Sequence, residues 1–237
     1  MRPKFPTADF ETLKGKIRTN LDSPNPTPAQ LARKSKSIAA VEKLGLPFID
    51  HLPVVEDEAS VTPRTAEEVA GRTVALLICA IKGETNEQQL IEATIAQYSA
   101  SDLFTPAERV FIANDATQQE LIDFAWQYEC IHVLLWSLGH VKKLKPPHEI
   151  CDVPNESLII WRRGRKKLSS KAKPRSLSEI LDQADYYYRL HWAAIELRLD
   201  GKRSEHAHEG IIRERHKALN WLIRYMDQDW DDITTDT

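Results

Sequence analysis

A chain of 237 residues with 32 lysines and arginines against 35 aspartates and glutamates has a formal charge of -3, which argues against both a basic nucleic-acid binder and an acidic solvating tail. An apolar share of 42% and a charged share of 28% suit an ordinary globular protein, and only 8 glycines favour helices over turn-rich β-structure. Cys79, Cys130 and Cys151 show no CxxC spacing, which argues against a disulfide framework and for a reducing compartment.

Residues 1–16 have no apolar core of signal-peptide length, and no run reaches the roughly 18 apolar residues of a membrane span. The expectation is a cytoplasmic protein without membrane contact. Residues 1–26 end in LDSPNPTP and read as an N-terminal extended arm or linker; residues 27–237 read as a single helical domain. Thr27, with Pro28 and Gln30 behind it, starts a helix that Gly45 stops. Pro47 and Pro53 then impose an irregular segment whose Leu46, Phe48, Ile49, Leu52 and Val54 should pack on the core. Thr65 and Glu68 open the next helix, which should close at Gly83. Shorter helices fit residues 87–98 and, from Thr105-Pro106, residues 106–112.

The run Leu121 to Leu138, LIDFAWQYECIHVLLWSL, is apolar on nearly every face, so a helix there must be surrounded by other helices. Asp115 or Thr117 should cap it and Gly139 should end it. Beyond Val141 the period decays. A short helix over residues 156–161 is expected, followed by RRGRKKLSSKAKPR, eight basic residues between Arg162 and Arg175, read as a flexible basic loop at 162–175. Ser176 with Glu179 caps a long helix to about Asp200, and Gly210 opens a last one. The acidic tail DQDWDDITTDT follows, with Trp230 expected to dock back on the body. The predicted fold class is all-α: a single multi-helix globular domain of six to eight helices around a buried central helix near 117–138.

Motifs spread along the chain point the same way. The segment E-R-H-K-A-L-N-W-L (Glu214 to Leu222) followed by W-D-D-I-T-T-D-T (Trp230 to Thr237) resembles the closing signature of a bacterial domain-of-unknown-function family. Arg33-Lys34, Gly45-Leu46-Pro47, Leu52-Pro53, Arg64 to Val69, and Arg72 are similar to the same family. So are Trp126 with Glu129, Leu134-Leu135-Trp136, Arg175, Glu179-Ile180 and His191-Trp192. The resemblance implies a single helical domain over about residues 33–237 and supplies no chemistry.

Candidate chemistry is sparse. Glu129-x-x-His132 and Glu205-x-x-His208 have the spacing of bundle di-metal ligands, but the second pair falls in a loop that cannot fix ligands. His206, His208 and His216 with Glu209 could in principle bind one metal, yet a polar loop makes a solvated surface pair the better reading. Cys151, expected to be the exposed cysteine, has His148 nearby, a pairing that arises readily by chance. No G-x-S-x-G elbow or glycine-rich phosphate loop occurs, so no cofactor and no metal are expected.

Polar residues inside apolar helices are more informative. Arg72, Glu129, His191, Glu214, Arg215 and Asn220 form either an internal salt-bridge network or a polar inter-helix pocket. Arg162, Arg163, Arg165, Lys166 and Lys167 are the candidate anion contact. The leading functional expectation is a non-enzymatic helical domain that binds a protein partner or itself. The alternative is an enzyme or small-ligand binder using the polar pocket. A third reading, nucleic-acid contact through residues 162–175, is disfavoured because Trp161 is the one aromatic beside the basic run.

Overall fold

The computed structural model describes residues 25–237; all but the last two residues of the expected N-terminal arm (1–26) lie outside them. The fold is all-helical, a single domain with no strand among the described residues. Its helices in chain order are α1 (Pro28–Lys43), α2 (Ala66–Thr85), α3 (Gln88–Tyr98), α4 (Pro106–Ala113) and α5 (Gln118–Ala125), then α6 (Tyr128–Ser137), α7 (Val153–Ser170), α8 (Leu177–Leu199) and α9 (Glu209–Leu222). The nine become the expected eight when α5 and α6 are taken as one run.

Local chemistry sets the helix starts. Capping boxes at Thr27/Gln30, Thr65/Glu68, Thr105/Glu108, Thr117/Glu120 and Ser176/Glu179 open α1, α2, α4, α5 and α8. In each the hydroxyl accepts from the third backbone N–H while the acid or amide side chain takes the cap's own N–H, which stabilises the start by about 1 kcal/mol.

Three expectations need correction. First, the central run is broken by a turn at Trp126–Gln127: every residue of α6 is buried, whereas none in α5 is. The centre is therefore shared by α6 and α2, which packs against α5, α6 and α7. Second, Gly83 does not end α2. A Cβ there would lie 2.6 Å from the Leu121 carbonyl oxygen and 2.7 Å from the Ala125 nitrogen, so the glycine is the point where α5 presses on α2. Third, where the loop at 162–175 was expected, α7 continues to Ser170. Arg and Lys are good helix formers, and buried Ile160 and Leu168 tie this helix to the core. A kink at Gly164 (φ 58°, ψ 172°) shifts the phase between those two anchors.

The irregular segment after α1 packs as expected through Leu46 and Leu52, but Phe48 is left partly exposed. The C-terminal tail docks. Trp230 is buried edge-on against Trp221 at 5.5 Å, with the Arg72 guanidinium and the Lys217 ammonium over its ring at 5.2 and 5.0 Å. Asp231 accepts a hydrogen bond from the Ala107 N–H in the first turn of α4.

Candidate functional site

The six polar residues expected to form a network or a pocket are all buried, and the fold distributes them among several partners. Arg215 of α9 is fully buried. Its Nε donates to Glu129 at 2.8 Å, and its terminal nitrogens donate to the Tyr187 hydroxyl and to the carbonyls of Lys145, Pro146 and Glu149. The other oxygen of Glu129 accepts the Cys151 N–H. Together this pair pins the second half of the irregular segment between α6 and α7. His132 is buried beside it: Nε2 accepts the Lys145 N–H, which leaves the Nδ1 proton facing Glu156 at 2.5 Å. Cys151 is buried as well, and burial, then the charge of Glu129, pushes its thiol far above the ordinary range. It is a poor nucleophile there.

Arg72 pairs with Glu108 of α4. Glu214 meets the Cys130 thiol and Arg213, and Asn220 donates to the Thr234 carbonyl of the tail. His191 and His216 face each other with Nδ1 atoms 3.1 Å apart, so one donates and the other accepts. Burial, followed by Arg213 and Arg198, holds His191 down to about 4; burial, followed by His191, holds His216 at about 3. The couple is neutral at ordinary pH.

Further cations, among them Lys34 and Arg175 of the family motifs, do the same work as Arg215. The Lys82 ammonium donates to the carbonyls of Phe111, Ile112 and Asn114 at the end of α4, and Arg189 holds Asp185 and the Pro53 carbonyl. Lys34 donates to the Asp50 and Leu52 carbonyls, and Arg175 to those of Trp136, Val141 and Lys142. The sequence signal for Lys82 and Arg189 was available: each is a lone cation within an otherwise apolar helical face.

Among the concavities of the described residues, four bear on the candidate sites. A small one, about 30 Å³, is lined by residues including Tyr188, His216, Asn220, Glu56 and Asp236. An apolar groove of about 290 Å³ runs between α5 and the start of α7 over Gly83, Ile122, Ala125, Trp126, Tyr128, Ile150 and Val153. A basic cleft of about 500 Å³ lies at the α7 kink, where Arg163, Gly164, Arg165, Lys166 and Ser169 face Gln97, Tyr98, Ser99 and Glu67. Of the five basic residues named as the anion contact, Arg163, Arg165 and Lys166 line this cleft, and Arg162 and Lys167 do not. A larger one, about 630 Å³, opens at the 200–208 loop, where two of its cations are already paired, Arg198 with Glu209 and Lys202 with Asp200. The histidine-rich loop brings no metal-holding group together among the described residues. No helix among them is long and apolar enough to cross a membrane.

Neither the curated proteins nor the solved structures contain a match to this chain. Residues 33–233 do match a family described as a domain of unknown function, DUF4272. That span runs from the α1 arginine held by Asp182 to the docked tail, and the chain belongs to the DUF4272 family.

Proposed function

We propose that this domain is a non-enzymatic interaction module that docks a second copy of itself through the apolar groove between α5 and the start of α7. The observation that carries the reading is the shape of that patch. Ile150, 59% exposed, and Ile122, 42% exposed, stand beside a hollow floored by Gly83 and Ala125. A patch carrying both a knob and a hole is self-complementary, which is what a two-fold interface requires. The Tyr128 hydroxyl is already bonded to Glu84, so the ring presents its apolar face without an unmet donor.

Sedimentation of the native chain across a wide concentration range tests this. The native chain should dimerise, and Ile150→Asp should shift the equilibrium strongly to monomer while leaving the helical signal intact. A native chain that stays monomeric at high concentration, or an Ile150→Asp variant that dimerises equally well, would sink the reading.

A second reading, a small-ligand site reached by one member of the polar set, has one observation in its favour: Asn220 shares a cavity with His216, Tyr188, Glu56 and Asp236, whereas Arg72, Glu129, His191, Glu214 and Arg215 do not line it. About 30 Å³ is water-sized rather than substrate-sized, so a ligand would have to displace the tail that carries Asp236. Native mass spectrometry of a chain cut back to residue 233 tests that reading: a retained small molecule supports it, and a bare chain opposes it.

A further inference from the structure

We propose that the cleft at the α7 kink binds a phosphate-bearing small molecule, with Arg163, Arg165 and Lys166 as its cationic contacts. The proposal is independent of self-association, since the cleft and the apolar groove share no lining residue.

Three observations support the assignment. The first is the backbone. Gly164 sits at φ 58° and ψ 172°, a region open essentially to glycine alone, in the middle of a helix that is otherwise regular. Such conformations cost of order 1–3 kcal/mol in other residues and cluster at ligand clamps. Nothing lies within 4 Å of the position a Cβ would take there, so packing against a neighbour is not what requires the glycine. The second is the arrangement that the kink produces. In an uninterrupted helix Arg163 and Arg165 would point about 200° apart. Here both line one hollow, together with Lys166.

The third is charge and space. Arg163, Arg165 and Lys166 face a single carboxylate, Glu67, on the cleft wall. Among the described residues neither Arg163 nor Lys166 has a carboxylate within ion-pair distance, and Arg165 reaches Asp102 only at 3.9 Å. In the loop pocket, by contrast, Arg198 and Lys202 are already neutralised, and Arg203 is the one arginine or lysine of its lining without an ion pair among the described residues. The remaining walls supply the Ser99 hydroxyl as a neutral donor and the half-buried Tyr98 ring as a platform, while the Ser169 hydroxyl already donates to the Lys166 carbonyl. A volume of about 500 Å³ lies within the usual range for small-molecule sites. Guanidinium forks with hydroxyls beside them are the donor set that a phosphate dianion prefers.

Calorimetric titration of the full chain with inorganic pyrophosphate at low salt tests the proposal. Saturable binding is expected, weakening steeply as salt is added. Arg163→Gln/Lys166→Gln should weaken it roughly a hundredfold, as loss of two charge-assisted hydrogen bonds implies. Arg198→Gln/Lys202→Gln, at the other basic hollow, should leave it within about twofold. Both pairs are surface changes, and unchanged thermal melts will verify that each variant is folded. No heat of binding in the native chain would overturn the proposal, as would equal weakening by the two variant pairs. A single-stranded oligonucleotide that binds at the cleft and that pyrophosphate cannot displace would overturn it in favour of a nucleic-acid surface.

Discussion

Arg215 and Arg163 are the same side chain in two settings. Arg215 is sealed between α6, α8 and α9, and each of its nitrogens meets a carboxylate, a phenol or a carbonyl. Arg163 lies on a kinked surface helix with no carboxylate in reach among the described residues. The interior setting recurs. Lys82, Arg189 and Arg215 each reach out of a helix to hold backbone carbonyls, Lys82 at the end of α4 and Arg189 and Arg215 in irregular chain. A buried cation of that kind is committed to the fold. The cations around Gly164 are not committed in this way, and their charge is left for a ligand.

The largest expected effect is in the interior. Arg215→Met strands Glu129 as a buried unpaired carboxylate and frees the carbonyls of the 145–149 stretch. Urea unfolding should show a loss of about 3–5 kcal/mol, and protease should cut the segment between α6 and α7 first.

The histidine couple comes next. Both folded values lie below the ordinary 6.5, so the unfolded chain binds more protons as pH falls. Their contribution is fully present above about pH 6.5 and is lost as pH drops through about 4 and then about 3. The loss is on the order of 3–5 kcal/mol for each histidine. His191→Gln/His216→Gln should flatten that part of the stability–pH curve, and an unchanged acid limb would show that the pair is not responsible.

Gly164→Ala sharpens the contrast from the surface side. It should cost about 1–3 kcal/mol although its Cβ meets nothing, because the backbone angle alone is unfavourable. The smallest effect belongs to Arg163→Gln/Lys166→Gln, which should move stability by less than about 0.5 kcal/mol. A large loss there would place these residues with the interior staples.

Much of the frame was legible because helix starts are local. Thr65 with Glu68, Thr105 with Glu108 and Ser176 with Glu179 each place their cap within four residues, and all three open helices. The polar residues could be recognised as embedded in apolar helices, Glu129 and Arg215 among them. The carbonyls they hold could not be read, because residues 145–149 are brought to Arg215 only by the packing of α9 on α6. The break at Trp126–Gln127 carries no breaker residue, and both backbones stay right-handed, so nothing in composition marks it. The kinked helix was missed for a different reason. Only Ile160 and Leu168 anchor it deeply along the basic stretch, and Gly164 shifts the phase between them, which erases the apolar period. Glycine was the local sign, and its meaning depended on α3 lying opposite.

The central claim is that the buried charges hold the fold and are not reserved for chemistry. A double-mutant cycle on Arg215 and Glu129, read by urea unfolding, tests it most directly. The account predicts a large loss for Arg215→Met alone, a comparable loss for Glu129→Leu alone, and a double variant well above the sum of the two, with a coupling of about 2 kcal/mol or more. An Arg215→Met chain that unfolds at the native midpoint would contradict it, and would mean that this arginine is kept for something other than stability.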